Sequence, residues 1–77
     1  MKAQRNTNEM NGLGYVAYEK LRQSEKQEVI TIVFTKGKLG LETKDIERIN
    51  VYNDSMNIFF KDNTSKYINL QNVTFME

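Results

Sequence analysis

The chain has 77 residues, 11 basic and 10 acidic side chains, a net charge of +1, and no histidine, cysteine, proline or tryptophan. A single domain of this size buries only about 60% of the surface its unfolded chain exposes, so its core is thin. Without cysteine or histidine it has no disulfides, thiolate or imidazole zinc sites, Ser-His-Asp or Cys-His catalysis, or histidine pH switch. The near-balanced charge also differs from the basic excess usual in proteins that grip nucleic acid.

Residues 1–11, MKAQRNTNEMN, are polar and aperiodic, and are expected to form a flexible segment ahead of a single compact β-rich domain over 12–77. They carry no hydrophobic leader segment, and no apolar run in the chain reaches membrane-spanning length, so the expected address is the cytoplasm. GLGYVAYEKLRQSEKQE reads in two ways. As a helix, Leu13, Val16, Ala17 and Leu21 form one apolar stripe, with Asn11 available to cap its start. As a strand, Tyr15, Val16 and Tyr18 supply β propensity and RQSEKQ becomes a long loop. The helix, from about Tyr15 to Lys26, is the favoured reading.

From Glu28 the chain turns to β grammar. EVITIVFT alternates Ile30, Ile32 and Phe34 with Val29, Thr31 and Val33. TKGK places Gly37 at a turn, and LGLET returns. KDIERINVY forms a third strand, after which VYNDSM holds an Asn53-Asp54 turn. MNIFFK and TSKYINL make a second hairpin about Asp62-Asn63, and NVTFM closes the chain.

This pattern is written twice. Ile32 matches Ile58, Phe34 matches Phe60, and Lys36-Gly37 matches Asp62-Asn63. After a slip of one residue, Asp45-Ile46 matches Asn72-Val73 and Ile49 matches Met76. Either a duplication or a shared β grammar accounts for the repeat. One three-stranded unit is too small to bury an apolar face independently. Two can enclose a core of Ile30, Ile32, Phe34, Ile46, Met56, Ile58, Phe60, Ile68 and Leu70. The fold class expected is α+β, mainly β: an N-terminal helix packed on a small, strongly bent antiparallel β-sheet or partly open barrel of five or six strands, built from two three-stranded meanders.

Little in the chain suggests catalysis. Glu42, Asp45 and Glu47 cluster in sequence but interleave with Lys44 and Arg48, as on a solvated strand and turn. Asp54 and Asp62 sit in turns, where aspartate bonds its own backbone. Gly37 and Gly40 fit no phosphate-binding fingerprint. The expectation is a protein that is not an enzyme and uses no cofactor or metal.

Binding is the stronger reading. Alternation along MNIFFK and SKYINL puts Phe59 and Tyr67 on the face opposite the apolar row, where Tyr52 and Val33 can join them. That face is either covered by the helix or offered to a partner, for which Tyr52, Phe59 and Tyr67 are the anchor residues. The basic residues Lys36 and Lys38 of the TKGK turn, with Lys44 and Arg48, are the alternative site, for nucleic acid. Unpaired edge strands also allow homodimerisation or a higher homo-oligomer.

A helix followed by VITIVFTKG and then IFFKDNTSKYINLQNV resembles the Sm-like RNA-binding family. In that family a helix precedes a bent five-stranded sheet and a glycine follows the first strand, as Gly37 does. The resemblance implies ring assembly and RNA binding. The chain departs from the family in a longer spacing between the motifs, and it lacks a histidine or basic pocket where RNA would stack. The leading functional expectation is a small protein-binding module that occupies a surface on a host protein as an inhibitor or adaptor. Lysine- and asparagine-rich chains of this size are common among phage and mobile-element accessory proteins.

Overall fold

The computed structural model describes residues 1–6 and 9–76. Strand β1 (Lys2–Arg5) is followed by helix α1 (Gly12–Gln23), then β2 (Val29–Phe34) and β3 (Gly37–Glu42). A 3-10 turn, Thr43–Asp45, leads to β4 (Ile46–Val51), β5 (Ser55–Phe60) and β6 (Ser65–Asn69). A second 3-10 turn, Leu70–Asn72, leads to β7 (Val73–Met76). The strands form a four-stranded sheet of order β1-β4-β5-β6 and a three-stranded sheet of order β3-β2-β7, and the described residues close no barrel. The architecture is α+β and mainly β, one helix packed on two sheets.

The written repeat is a structural one, but its two units exchange strands. Hairpin β2-β3 takes as its third strand β7 of the second unit, and hairpin β5-β6 takes β4 of the first. The registers correspond residue by residue. Met76 stands opposite Ile32, Phe75 opposite Val33 and Val73 opposite Phe34, with a bulge before the last pair. In the other sheet Ile49 stands opposite Ile58, Arg48 opposite Phe59 and Ile46 opposite Phe60, with the bulge at the same point.

Backbone hydrogen bonds repeat the relation. Thr35 N–H donates to the Asn72 carbonyl at 3.1 Å, as Lys61 N–H donates to Asp45 at 3.0 Å. Thr43 N–H donates to Glu28 at 2.9 Å, as Leu70 N–H donates to Asp54 at 3.0 Å. Each 3-10 turn therefore carries the chain from its own hairpin across to the other sheet. The meanders expected in chain order are not closed within each unit. The exchange lets both units bury their inward rows against each other, which neither could do separately.

The core holds Ile30, Ile32, Leu41, Ile46, Ile49, Val51, Met56, Ile58, Ile68, Leu70 and Met76, joined by Ala3, Ala17 and Leu21. Of the core residues expected from sequence, Phe34 and Phe60 are only partly buried and pack against its margin. They occupy equivalent positions at the ends of β2 and β5, where each strand runs into its turn.

Two expectations for the N-terminal region are corrected. Of residues 1–11, expected to be loose, Lys2–Arg5 pair in parallel with Arg48–Val51. Ala3 is buried, and its N–H donates to the Glu25 carboxylate at 2.8 Å. Thr7 and Asn8 of that segment lie outside the described residues. A four-residue strand with one small apolar residue carries no periodicity to read, and the edge of β4 supplies the order instead.

The helix reading holds, but it spans Gly12–Gln23 rather than Tyr15–Lys26. Gly14 N–H donates to the Asn53 carbonyl at 2.8 Å, which fixes the first turn. Asn11 stands at the N-cap in extended conformation without a side-chain cap bond. Its N–H instead donates to the Asn53 side-chain oxygen at 3.3 Å. At the other end Ser24 N–H donates to the Lys20 and Leu21 carbonyls, and Lys20 and Arg22 lie in the last turn, where cations complement the helix dipole.

Candidate functional site: the outer face of the four-stranded sheet

Strand alternation divides the four-stranded sheet into two faces. Ala3, Ile49, Val51, Met56, Ile58 and Ile68 point inward and are buried. Ala17 and Leu21 of α1 join that inward row in the core, so the helix packs on the inner side. Among the described residues, no helix lies over the opposite face. The helix cover that was one reading of the aromatic face is absent.

The register sets this outer face out in rows. Arg48 pairs with Lys2 on one side and Phe59 on the other, and Phe59 pairs with Ser65. In the next row Asn50 pairs with Gln4 and Asn57, and Asn57 pairs with Tyr67. Phe59 and Tyr67 are thus diagonal neighbours on adjacent strands, within reach of long side chains. Phe59 is half-buried, whereas Tyr67 is 64% exposed.

Arg48 lies over the Phe59 ring, its guanidinium carbon 4.2 Å from the ring centroid. Such stacking covers one face of the ring and presents a cation beside an apolar surface. Arg48 also bonds the neighbouring Glu47 carboxylate at 3.2 Å, an exposed pair that contributes little to stability. At the centre of the face, Asn50 Oδ1 is buried and accepts no hydrogen bond from a described residue. A buried acceptor without a donor costs about 1–3 kcal/mol.

Tyr52, the third expected anchor, follows β4 on the same outward alternation but at the far end of the face. It is about 13 Å along the strand from Arg48 at ~3.3 Å per residue. Its hydroxyl accepts from the Asn6 side chain at 3.1 Å. Val33 does not join the face, because β2 belongs to the other sheet.

The alternative basic site is dispersed. Lys36 and Lys38 lie at the β2-β3 turn, whereas Lys44 follows the opposite end of that hairpin. A six-residue strand separates those ends by about 20 Å. Lys44 pairs with Glu42 at 3.7 Å. Arg48 is on the outer face of the other sheet. Among the described residues, no group of three or more His, Cys, Asp and Glu side chains is placed to hold a metal ion.

Sequence reasoning placed Asn57 beside Phe59 on this face but missed the contribution of Lys2, Gln4 and Asn50, and it assigned Arg48 to a different site. The signal for Arg48 was present. Counting outward from the Asn53-Asp54 turn pairs Val51 with Met56 and then Arg48 with Phe59, as observed. Lys2 and Gln4 had no such signal, since nothing local marks β1 as a strand.

The fold and this face define a small two-sheet α+β domain with an uncovered, amide- and aromatic-bearing sheet surface. Comparison with protein-family models, with curated proteins and with solved structures found no match to this chain. Among the described residues, no helix is long and apolar enough to cross a membrane.

Proposed function

We propose that this protein is a non-enzymatic protein-binding module, an inhibitor or adaptor whose contact surface is the outer face of the four-stranded sheet. The observation that carries the reading is the uncovered Arg48–Phe59 stack with Tyr67 diagonal to it. The few residues that carry most of the binding energy at protein interfaces are enriched in tyrosine, tryptophan and arginine. Asn57 and Gln4 add amide donors and acceptors between the anchors, and Asn50 adds its amide N–H. The charges on the paired positions of this face, Lys2 and Arg48, are both positive, so the complementary surface is acidic.

The test is affinity capture from a bacterial lysate with and without nuclease, using the wild-type chain and the Phe59→Ala/Tyr67→Ala double variant. Circular dichroism first confirms that the variant is folded. The expected result is a discrete protein retained after nuclease treatment and lost with the variant. A partner held equally by the folded variant sinks the reading. The Lys36, Lys38, Lys44 and Arg48 alternative would show itself as bound nucleic acid released steeply by salt, through counterion release.

A further inference from the structure

The exchange of strands leaves one place where the two units differ. In the four-stranded sheet the outer edge of β4 is filled by β1, running parallel to it. The equivalent edge, that of β7, pairs with no strand among the described residues. Ala3 stands opposite Ile49, and the counterpart of Ile49 is Met76.

Helix α1 lies between these two places. On one flank it meets β1: Glu25, just beyond the helix, accepts from Ala3 N–H, and Tyr18 lies under Arg5, 5.8 Å from guanidinium carbon to ring centroid. On the other flank is a groove of about 310 Å³ between the helix and β7. Leu13, Val16 and Ala17 form its helix wall, and Leu70, Val73 and Met76 form the other. Leu13 is 46% and Val16 66% exposed, so half of the helix's apolar stripe lines this groove instead of the core.

We infer that the groove beside β7 is the counterpart of the seat of β1 and binds an extended, acidic peptide segment of a protein partner. The segment pairs in parallel with the free β7 edge and places an apolar side chain between α1 and β7. The polarity of the ligand follows from charge. On the filled flank Glu25 accepts from the Ala3 N–H of a strand that also bears Lys2 and Arg5, and Arg22 shares the Tyr18 ring with Arg5. On the open flank Lys20 is, among the described residues, the one charged residue of the lining, so the complementary strand carries a carboxylate. The N-terminal strand of a second copy has the wrong sign for this seat. Strand addition at an edge draws affinity from main-chain bonds and specificity from alternate side chains, which fits one apolar pocket with one cation at its rim.

The experiment is selection from a phage-displayed library of random linear peptides on the full chain, followed by titration of a synthesised winner into isotope-labelled protein. Enriched peptides should alternate apolar and polar residues and carry Asp or Glu. Their amide shifts should fall on β7 and on the Leu13–Lys20 face of α1. Val16→Asp, at an exposed position, should weaken binding at least about tenfold, and Lys20→Glu should shift selection towards basic peptides. Phe59→Ala, on the outer face of the other sheet, should change neither result, so this inference and the proposed outer-face contact fail separately. The inference is overturned by absence of enrichment over a bare support, by unchanged affinity of Val16→Asp, or by shifts confined to the outer face. Self-association abolished by Val16→Asp would give the groove to a second copy and overturn it equally.

Discussion

Gly14 and Asn53 are joined by a 2.8 Å hydrogen bond from the glycine N–H to the asparagine carbonyl, and the two backbones touch. A Cβ on Gly14 would stand 2.6 Å from Asn53 Cα and would overlap the Tyr52 carbonyl oxygen. The contact seats the first turn of α1 on the β4-β5 turn, and both neighbours are backbone, which cannot swing aside. Gly14→Ala is therefore expected to cost about 2–3 kcal/mol through overpacking, seen as a lower urea midpoint. Gly37→Ala, where nothing lies within 4 Å and φ is not positive, serves as the control. It should stay within about 0.5 kcal/mol.

The order of β1 depends on a buried alanine and one charged acceptor. Glu25→Gln keeps the shape but removes the charge that the Ala3 N–H bonds, and should cost about 1 kcal/mol. Ala3→Asp places a carboxylate against Ile49 and the core and should cost more, about 2–3 kcal/mol. Amide exchange at Ile49–Val51 should accelerate in both variants. If exchange there is unchanged in Ala3→Asp, β1 does not protect the β4 edge.

Asn50 is the position where stability and binding are expected to oppose each other. Its Oδ1 is buried without a donor among the described residues, on a strand position where a β-branched side chain fits well. Asn50→Val should raise stability by about 1 kcal/mol in urea unfolding. The same variant should weaken capture of a partner by the outer face, because it removes a central amide. A loss of stability would mean that the Asn50 amide is satisfied in solution.

At the second hairpin turn, Asp62 accepts from the Thr64 hydroxyl and from the Thr64 N–H. The hydroxyl bond first, and the backbone bond after it, hold the Asp62 carboxyl below its ordinary value of 3.8. A carboxyl depressed in the folded state stabilises the fold above its unfolded value, and that contribution disappears as pH falls through the folded one. The part of acid destabilisation that begins below about pH 4 should thus be smaller in Asp62→Asn, measured as melting temperature against pH. An identical profile in both proteins would show that Asp62 has no part in it.

In the same turn Asn63 has φ 72°, in the left-handed region. Asparagine tolerates that conformation and glycine adopts it freely, while β-branched residues do not. Asn63→Gly should be nearly neutral, and Asn63→Val should cost about 1–2 kcal/mol, read as a fall in the thermal midpoint.

Much of the fold was legible because short strands declare themselves by alternation. β2, β5 and their turns read directly from VITIVF, IFF, TKGK and KDNT, and the matched positions Ile32 with Ile58 and Ile49 with Met76 proved to be equivalent places in the structure. The outward alternation of Phe59 and Tyr67 was legible for the same reason. Which strand each would face across the sheet depended on register, and for Arg48 that register could be counted from a turn.

The sequence by itself determined local things: the β-rich class, the apolar stripe of Leu13, Val16, Ala17 and Leu21 that favoured a helix over a strand, and the doubling of the strand–turn–strand unit. These rest on periodicity and turn chemistry, which act between neighbours along the chain. Only the tertiary structure decided that β4 and β7 cross to each other's hairpins, that Lys2–Arg5 become a strand, and that the helix buries Ala17 and Leu21 while leaving Leu13 and Val16 beside β7. Those outcomes turn on which apolar row meets which, a competition between distant segments for one small core, and no local pattern records its result.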